Sequence, residues 1–223
     1  MGLPHCRYDA IVLSVLAALM LAPTTLTLTP SDDVWVYEHA SDPAKDAYLR
    51  VWGNSGKAVS DDPADTGQFA YGYLRWDLSA IPTSAKITSA KLIVNQVADP
   101  DYTVDESKAN PLEARALSGE FDEKSWTFSV AAKVFPKAGP EGLFGSGYPK
   151  QLSKDGHSVP ITIDLLSGKG SFGTAVSGAK SISLALTSTL DPAVGGRTSV
   201  YKVFSKDAEK AENRPVLVLT YEN

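Results

Sequence analysis

Two short stretches of the sequence alternate large apolar side chains with aromatic and cationic ones. Residues 48–52 read Tyr-Leu-Arg-Val-Trp, and residues 73–78 read Tyr-Leu-Arg-Trp-Asp-Leu. Successive side chains of an extended chain point to opposite faces. Leu49, Val51, Leu74, Trp76 and Leu78 are therefore expected in a core, while Tyr48, Arg50, Trp52, Tyr73, Arg75 and Asp77 face the other way. Aromatic planes can stack on sugar rings, and the planar fork of arginine can pair bidentately with a uronate carboxylate. The second face thus carries the parts for holding an acidic polysaccharide, and Lys91 and Lys202, on later strand-like stretches, would widen the patch. A structural reading stands beside this one, in which Arg75 and Asp77 form an internal ion pair or anchor a loop.

Residues for catalysis are sparser. Beyond the N-terminal stretch the histidines are His39 and His157, and neither sits in a nucleophile or metal motif. Ser146 lies in a Gly-Ser-Gly triplet, but the fuller Gly-x-Ser-x-Gly elbow is missing. Asp61-Asp62 and Asp122-Glu123 supply paired carboxylates; a glycosidase needs two at a defined separation, and aspartate equally favours turns. Calcium takes oxygen ligands from such loops. Asp99, Asp101 and Asp105 are the candidate ligands of a structural calcium ion, although they lack the spacing of the familiar twelve-residue calcium loop. No other cofactor is expected.

The N-terminus places Arg7 before an apolar run over 10–22, broken by Ser14 and followed by Pro23. That is the layout of a secretory signal peptide over residues 1–22, and the run is short for a bilayer span. An uncleaved anchor is the alternative. Removal would take Cys6 and both methionines, leaving no sulfur and hence no disulfides, with the net charge unchanged at −5. A mildly acidic chain gains nothing from its overall field in binding nucleic acid. Residues 23–31 read as a flexible, threonine-rich leader and 32–223 as a single domain.

Strand patterns occur at 34–37, 48–52, 73–78, 90–97, 112–117, 161–165, 181–187, 200–204 and 216–221, with turn chemistry between them. The last is apolar at nearly every position, as a central strand covered on both sides would be. Residues 98–110 and 136–154 read as loops, 167–178 as loop with room for a short helical turn, and 207–212 as the best helix candidate. Roughly ten short strands without a convincing amphipathic helix imply an all-β, antiparallel, two-sheet sandwich or barrel.

Five segments occur in an order that resembles the DNRLRE-type domain, which overlaps family 96 of the carbohydrate-binding modules. They are residues 73–82 (Tyr-Leu-Arg-Trp-Asp-Leu-Ser-Ala-Ile-Pro), 90–94 (Ala-Lys-Leu-Ile-Val), 121–127 (Phe-Asp-Glu-Lys-Ser-Trp-Thr), 161–165 (Ile-Thr-Ile-Asp-Leu) and 214–221 (Arg-Pro-Val-Leu-Val-Leu-Thr-Tyr). The similarity runs over about residues 32–221. It implies a jelly-roll β-sandwich and a non-catalytic module that binds an acidic polysaccharide such as alginate through basic residues, which with the signal-like N-terminus gives the expectation of a secreted binder. The chain departs from the family pattern at Trp76, where phenylalanine is usual, and at Ser205-Lys206-Asp207, where serine, arginine and glutamate are common. A structural or adhesive module of a cell surface or matrix, with self-association or a surface partner, is the second expectation. A polysaccharide lyase or hydrolase is the third.

Overall fold

In a computed structural model, which describes residues 22–37, 46–62, 67–97, 100–131, 133–152, 157–194 and 200–223, the alternating stretches form two antiparallel sheets. The strands are β1 (Thr24–Leu28), β2 (Asp32–Val36), β3 (Tyr48–Val51), β4 (Tyr71–Asp77), β5 (Lys86–Gln96) and β6 (Leu112–Ala116). They continue with β7 (Leu143–Gly147), β8 (Val159–Asp164), β9 (Ser181–Ser188), β10 (Tyr201–Phe204) and β11 (Val216–Glu222). The first sheet runs β1-β11-β5-β10-β3, with β8 also paired to β5; the second runs β2-β4-β9-β6-β7. Three short helices, α1 (Val104–Ala109), α2 (Phe128–Ala131) and α3 (Phe172–Val176), sit in the connections. The all-β sandwich read from the sequence is the fold of the chain. None of the helices formed by the described residues is long and apolar enough to cross a membrane.

Alternation decides which side chains meet between the sheets. Leu49, Val51, Leu74, Trp76, Leu92, Ile161, Leu184 and Leu217 are all fully buried in one cluster. Each such side chain contributes about 1.5–3 kcal/mol relative to its exposed state. The other face of β4 is buried as well. Tyr71 and Tyr73 join Val34, Val36, Phe69, Leu117, Phe121, Trp126 and Ala185 in a second cluster on the outside of the second sheet. Leu117, Phe121, Trp126 and Val134 form its lid, so the outer face of β2, β4 and β9 is covered as well as the inner one.

The first sheet is not covered in this way. Its strands alternate buried positions with half-buried or exposed ones, as in β8, β10 and β11. The open face of the sandwich is therefore the outer face of the first sheet. This alternation also corrects the reading of 216–221: β11 lies between β1 and β5, but its outward side chains are only half-buried.

Several loops of the sequence reading hold structure. The 23–31 leader contains β1, paired along its length with β11 from Thr24↔Tyr221 to Leu28↔Leu217. The 136–154 loop contains β7, whose Gly145 and Gly147 leave no room for a side chain. A Cβ would stand 2.0 Å from the Asp164 carbonyl oxygen and 2.4 Å from that of Thr162, respectively. These two glycines let β7 abut β8 and close that side of the sandwich. Residues 98–110 contain α1, and the expected helix at 207–212 is instead irregular chain running into a 3-10 turn over Ala211–Asn213.

Candidate functional site

The seven residues expected to bind ligand divide among three places. Tyr48, Arg50 and Lys202 come together on the open face: β3 pairs antiparallel with β10, setting Arg50 opposite Lys202 and Tyr48 opposite Phe204. The Lys202 ammonium lies 4.1 Å from the centre of the Tyr48 ring, and the Phe204 ring lies 5.5 Å from that centre, tilted by 50°. The Arg50 guanidinium lies 5.7 Å from the Trp35 ring. Among the described residues no carboxylate is within ion-pair distance of either cation. Burial lowers the Lys202 pKa, and the Arg50 charge lowers it further, against a smaller upward pull from Asp46. Like charges directly opposite each other on a sheet are destabilising, so an anion placed between the two would relieve the pair.

Trp52 closes one side of this patch. It bridges to Ala70 at the end of β3, and its indole N–H donates to the Gln68 carbonyl at 3.2 Å. Its ring meets Tyr37 edge-on at 4.8 Å and Trp35 at 6.3 Å. Trp35 is buried and donates to the Asp46 carboxylate at 2.7 Å. The aromatic corner is packed within itself, and Lys202 occupies one face of Tyr48. The ring planes are thus less available than the sequence suggested, and the two half-buried cations are the chemistry left on the face.

Lys91 stands elsewhere. It is exposed on β5 between Val218 of β11 and Asp164 of β8, whereas β10 reaches β5 only at Gln96. Five residues of strand separate the two points, roughly 17 Å at the usual rise, so Lys91 is not part of the Arg50–Lys202 pair.

Tyr73 and Arg75 belong to the covered sheet and correct the expectation for β4. Tyr73 is fully buried, its ring edge-on to Trp126 at 5.2 Å and 5.8 Å from Phe121, and its hydroxyl donates to the Val134 carbonyl at 3.0 Å. Burial pushes that hydroxyl's pKa upward. A sugar ring has no access to it. Arg75 reaches the Phe121 carbonyl at 3.3 Å and the Glu120 carboxylate at 3.6 Å, which makes it an anchor for the lid over Tyr73. Asp77 is exposed and accepts the Ser79 N–H at 2.8 Å, which holds its pKa down. Arg75 thus holds the lid and Asp77 a turn, without the ion pair between the two that the structural reading offered. Nearby, Ser118, Glu120, Lys137 and Ser183 line a cleft of about 240 Å³ floored by Phe144 and Ile182, where Glu120 already accepts a bond from Ser183 at 3.2 Å.

The acidic candidates also take structural work. Asp99 lies outside the described residues. Asp105 is in the first turn of α1, where Thr103 and Glu106 form a capping box; carboxylates there favour the helix end. Asp101 is one turn of chain upstream, and among the described residues no three carboxylates, histidines or cysteines are grouped to hold a metal ion. Asp122 caps the 3-10 turn Glu123–Ser125. Asp61 pairs with Lys57. Ser146 is exposed between glycines whose role is close packing, His157 is exposed, and His39 is outside the described residues.

One charged cluster was not foreseen. Asp33 on β2 is buried and accepts the Lys206 backbone N–H at 2.5 Å, while its own N–H donates to Glu123 at 3.0 Å. The Lys206 ammonium pairs with Glu123 at 3.1 Å and with Asp207 at 2.8 Å. Burial raises the Asp33 pKa to about 7, with Glu123 and Asp207 adding to the rise and the Lys206 bond and charge opposing it. The departure at Ser205-Lys206-Asp207 thus lands in a tie between β2, the lid and the chain after β10. Its long-range partners left no mark in local spacing. Phe204 was legible, two residues after Lys202 on the same strand face.

Compared with models of known protein families, the chain matches none, and no curated protein matches it.

Proposed function

We propose that the protein is a non-catalytic binder of acidic polysaccharide, and that it binds through the open face of the first sheet. The observation that carries this reading is the Arg50–Lys202 pair, two cations opposed across β3 and β10 with no carboxylate paired to them among the described residues. A polymer of uronate residues supplies the missing anions, with Tyr48 and Phe204 offering apolar surface beside them. The layout of residues 1–22 supports a secreted protein, in which such a ligand would be met outside the cell. The resemblance over about residues 32–221 points the same way.

Affinity electrophoresis of the purified protein in gels containing uronate, sulfated and neutral polysaccharides tests the reading. Retardation by a uronate polymer that fades with added salt is expected, because salt screens exposed charges. Retardation by neutral glycan alone, indifferent to salt, would move recognition to the aromatic corner. Absence of retardation by every polymer would overturn the reading and leave an adhesive or structural module in its place, and turnover of any polymer would make the protein an enzyme.

A further inference from the structure

Among the described residues, each sandwich edge except that of β1 lies against another strand. At one side β2 lies against β3, and at the other β7 lies against β8, where Gly145 and Gly147 bring the backbones together. β1 packs substantially only on β11, and among the described residues no strand pairs with its outer edge. The answered edges also carry breakers: Asp32 and Asp33 on β2, Arg50 on β3, Pro160 on β8. Such charges and prolines are the usual guards against strand addition. β1 reads Thr-Thr-Leu-Thr-Leu, with no charge, no proline and no bulge in its pairing.

We propose that β1 is a dimerisation edge that pairs antiparallel with β1 of a second copy. A two-fold axis through Leu26 places Leu26 opposite itself, Thr25 opposite Thr27 of the other copy and Thr24 opposite Leu28. Thr25 and Thr27 share the exposed face, so the two exposed threonines meet each other across the axis. The same cross-strand pair already occurs within the sheet, where the Thr25 and Thr220 hydroxyls are 3.0 Å apart. A foreign strand would be selected by charge or by pockets for its side chains, and β1 offers no charge, whereas its own sequence satisfies it across the axis. The interface is only five residues long, so the dimer is weak and forms at high concentration. β3 stands on the same side of β5 as β1, beyond β10, because β8 takes the other side of β5; Arg50 and Lys202 pair with each other across β3 and β10 and take no part in the β1 ladder. The two copies would then present two cationic patches on one continuous sheet, an arrangement suited to bridging polymer chains. The pairing itself does not depend on the polysaccharide reading.

Light scattering of the purified protein, without polysaccharide, from micromolar to near-millimolar concentration is expected to show the mass rising toward twice the monomer. Hydrogen exchange at the 24–28 amides should slow in step. Thr27→Lys, at an exposed position, should return the mass to the monomer and remove the concentration dependence of exchange. A monomer at every concentration overturns the proposal, as does a dimer in which exchange at 24–28 is unchanged. Protection of 24–28 that is independent of concentration also overturns it, since the edge would then be covered within one chain. The wild-type exchange measurement decides the matter even if Thr27→Lys fails to fold.

Discussion

Arg50 and Lys202 oppose each other on an open sheet face, and an exposed contact of either with a carboxylate is worth about 1 kcal/mol, or about fivefold in affinity. Arg50→Ala and Lys202→Ala are each expected to weaken binding to a uronate polymer by about that factor and to flatten its salt dependence, with the melting temperature little changed. Titration calorimetry at two salt concentrations reads both effects. Arg75 and Tyr73, which share the sequence signature of Arg50 and Tyr48, should behave in the opposite way. Tyr73→Ala empties the centre of the second cluster, and losses of about 3–5 kcal/mol are usual for large aromatic side chains in cores. Arg75→Ala frees the lid from its anchor and should lower stability while leaving the affinity of the folded protein unchanged. Denaturant melts beside binding measurements separate the two classes. Nothing in the two stretches themselves distinguishes them: both alternate, and only their partners differ.

The elements are joined by contacts that the local patterns do not announce. Asp33, Glu123 and Lys206 tie β2 to the 3-10 turn Glu123–Ser125 and to the chain after β10. With its pKa near 7 in the fold against 3.8 when exposed, Asp33 keeps a proton in the native state that the unfolded chain releases. The native state binds more protons between those two values, so this group's contribution to stability falls as pH rises from about 4 toward about 7. Asp33→Asn retains an acceptor for the Lys206 N–H and removes the titration. Urea melts at pH 5 and pH 8 should show the variant gaining about 2–3 kcal/mol on the wild type between the two. A parallel pair of changes tests β7. Gly145→Ala forces a Cβ into the Asp164 carbonyl and should cost about 1–3 kcal/mol, while Ser146→Ala, exposed on the same strand, should stay within about 0.5 kcal/mol.

At the scale of the molecule, coverage decides which sheet face is left open. The outer face of β2, β4 and β9 is covered by the lid over Tyr73, and the first sheet is left with a face on which β3 and β10 gather the two cations. A Phe121→Ala, Trp126→Ala double variant should loosen the lid and expose apolar surface, detected by binding of a hydrophobic dye, with affinity for polysaccharide preserved in the protein that remains folded. The sequence by itself determined the class of fold and which side of each strand enters the core, because a period of two is written directly in neighbouring residue types. It also held most of the cationic patch: Tyr48, Arg50 and Lys202 were legible as outward residues of strands. It could not show that residues 24–28 and 143–147 are strands, since their partners, β11, β6 and the neighbouring β8, come from distant parts of the chain. Nor could it tell the open sheet from the covered one. That choice was made by long-range packing: Leu117, Phe121 and Trp126 folded over β4 and turned Tyr73 and Arg75 into core and anchor, and β10 came to lie beside β3, setting Lys202 opposite Arg50 from 152 residues further along the chain.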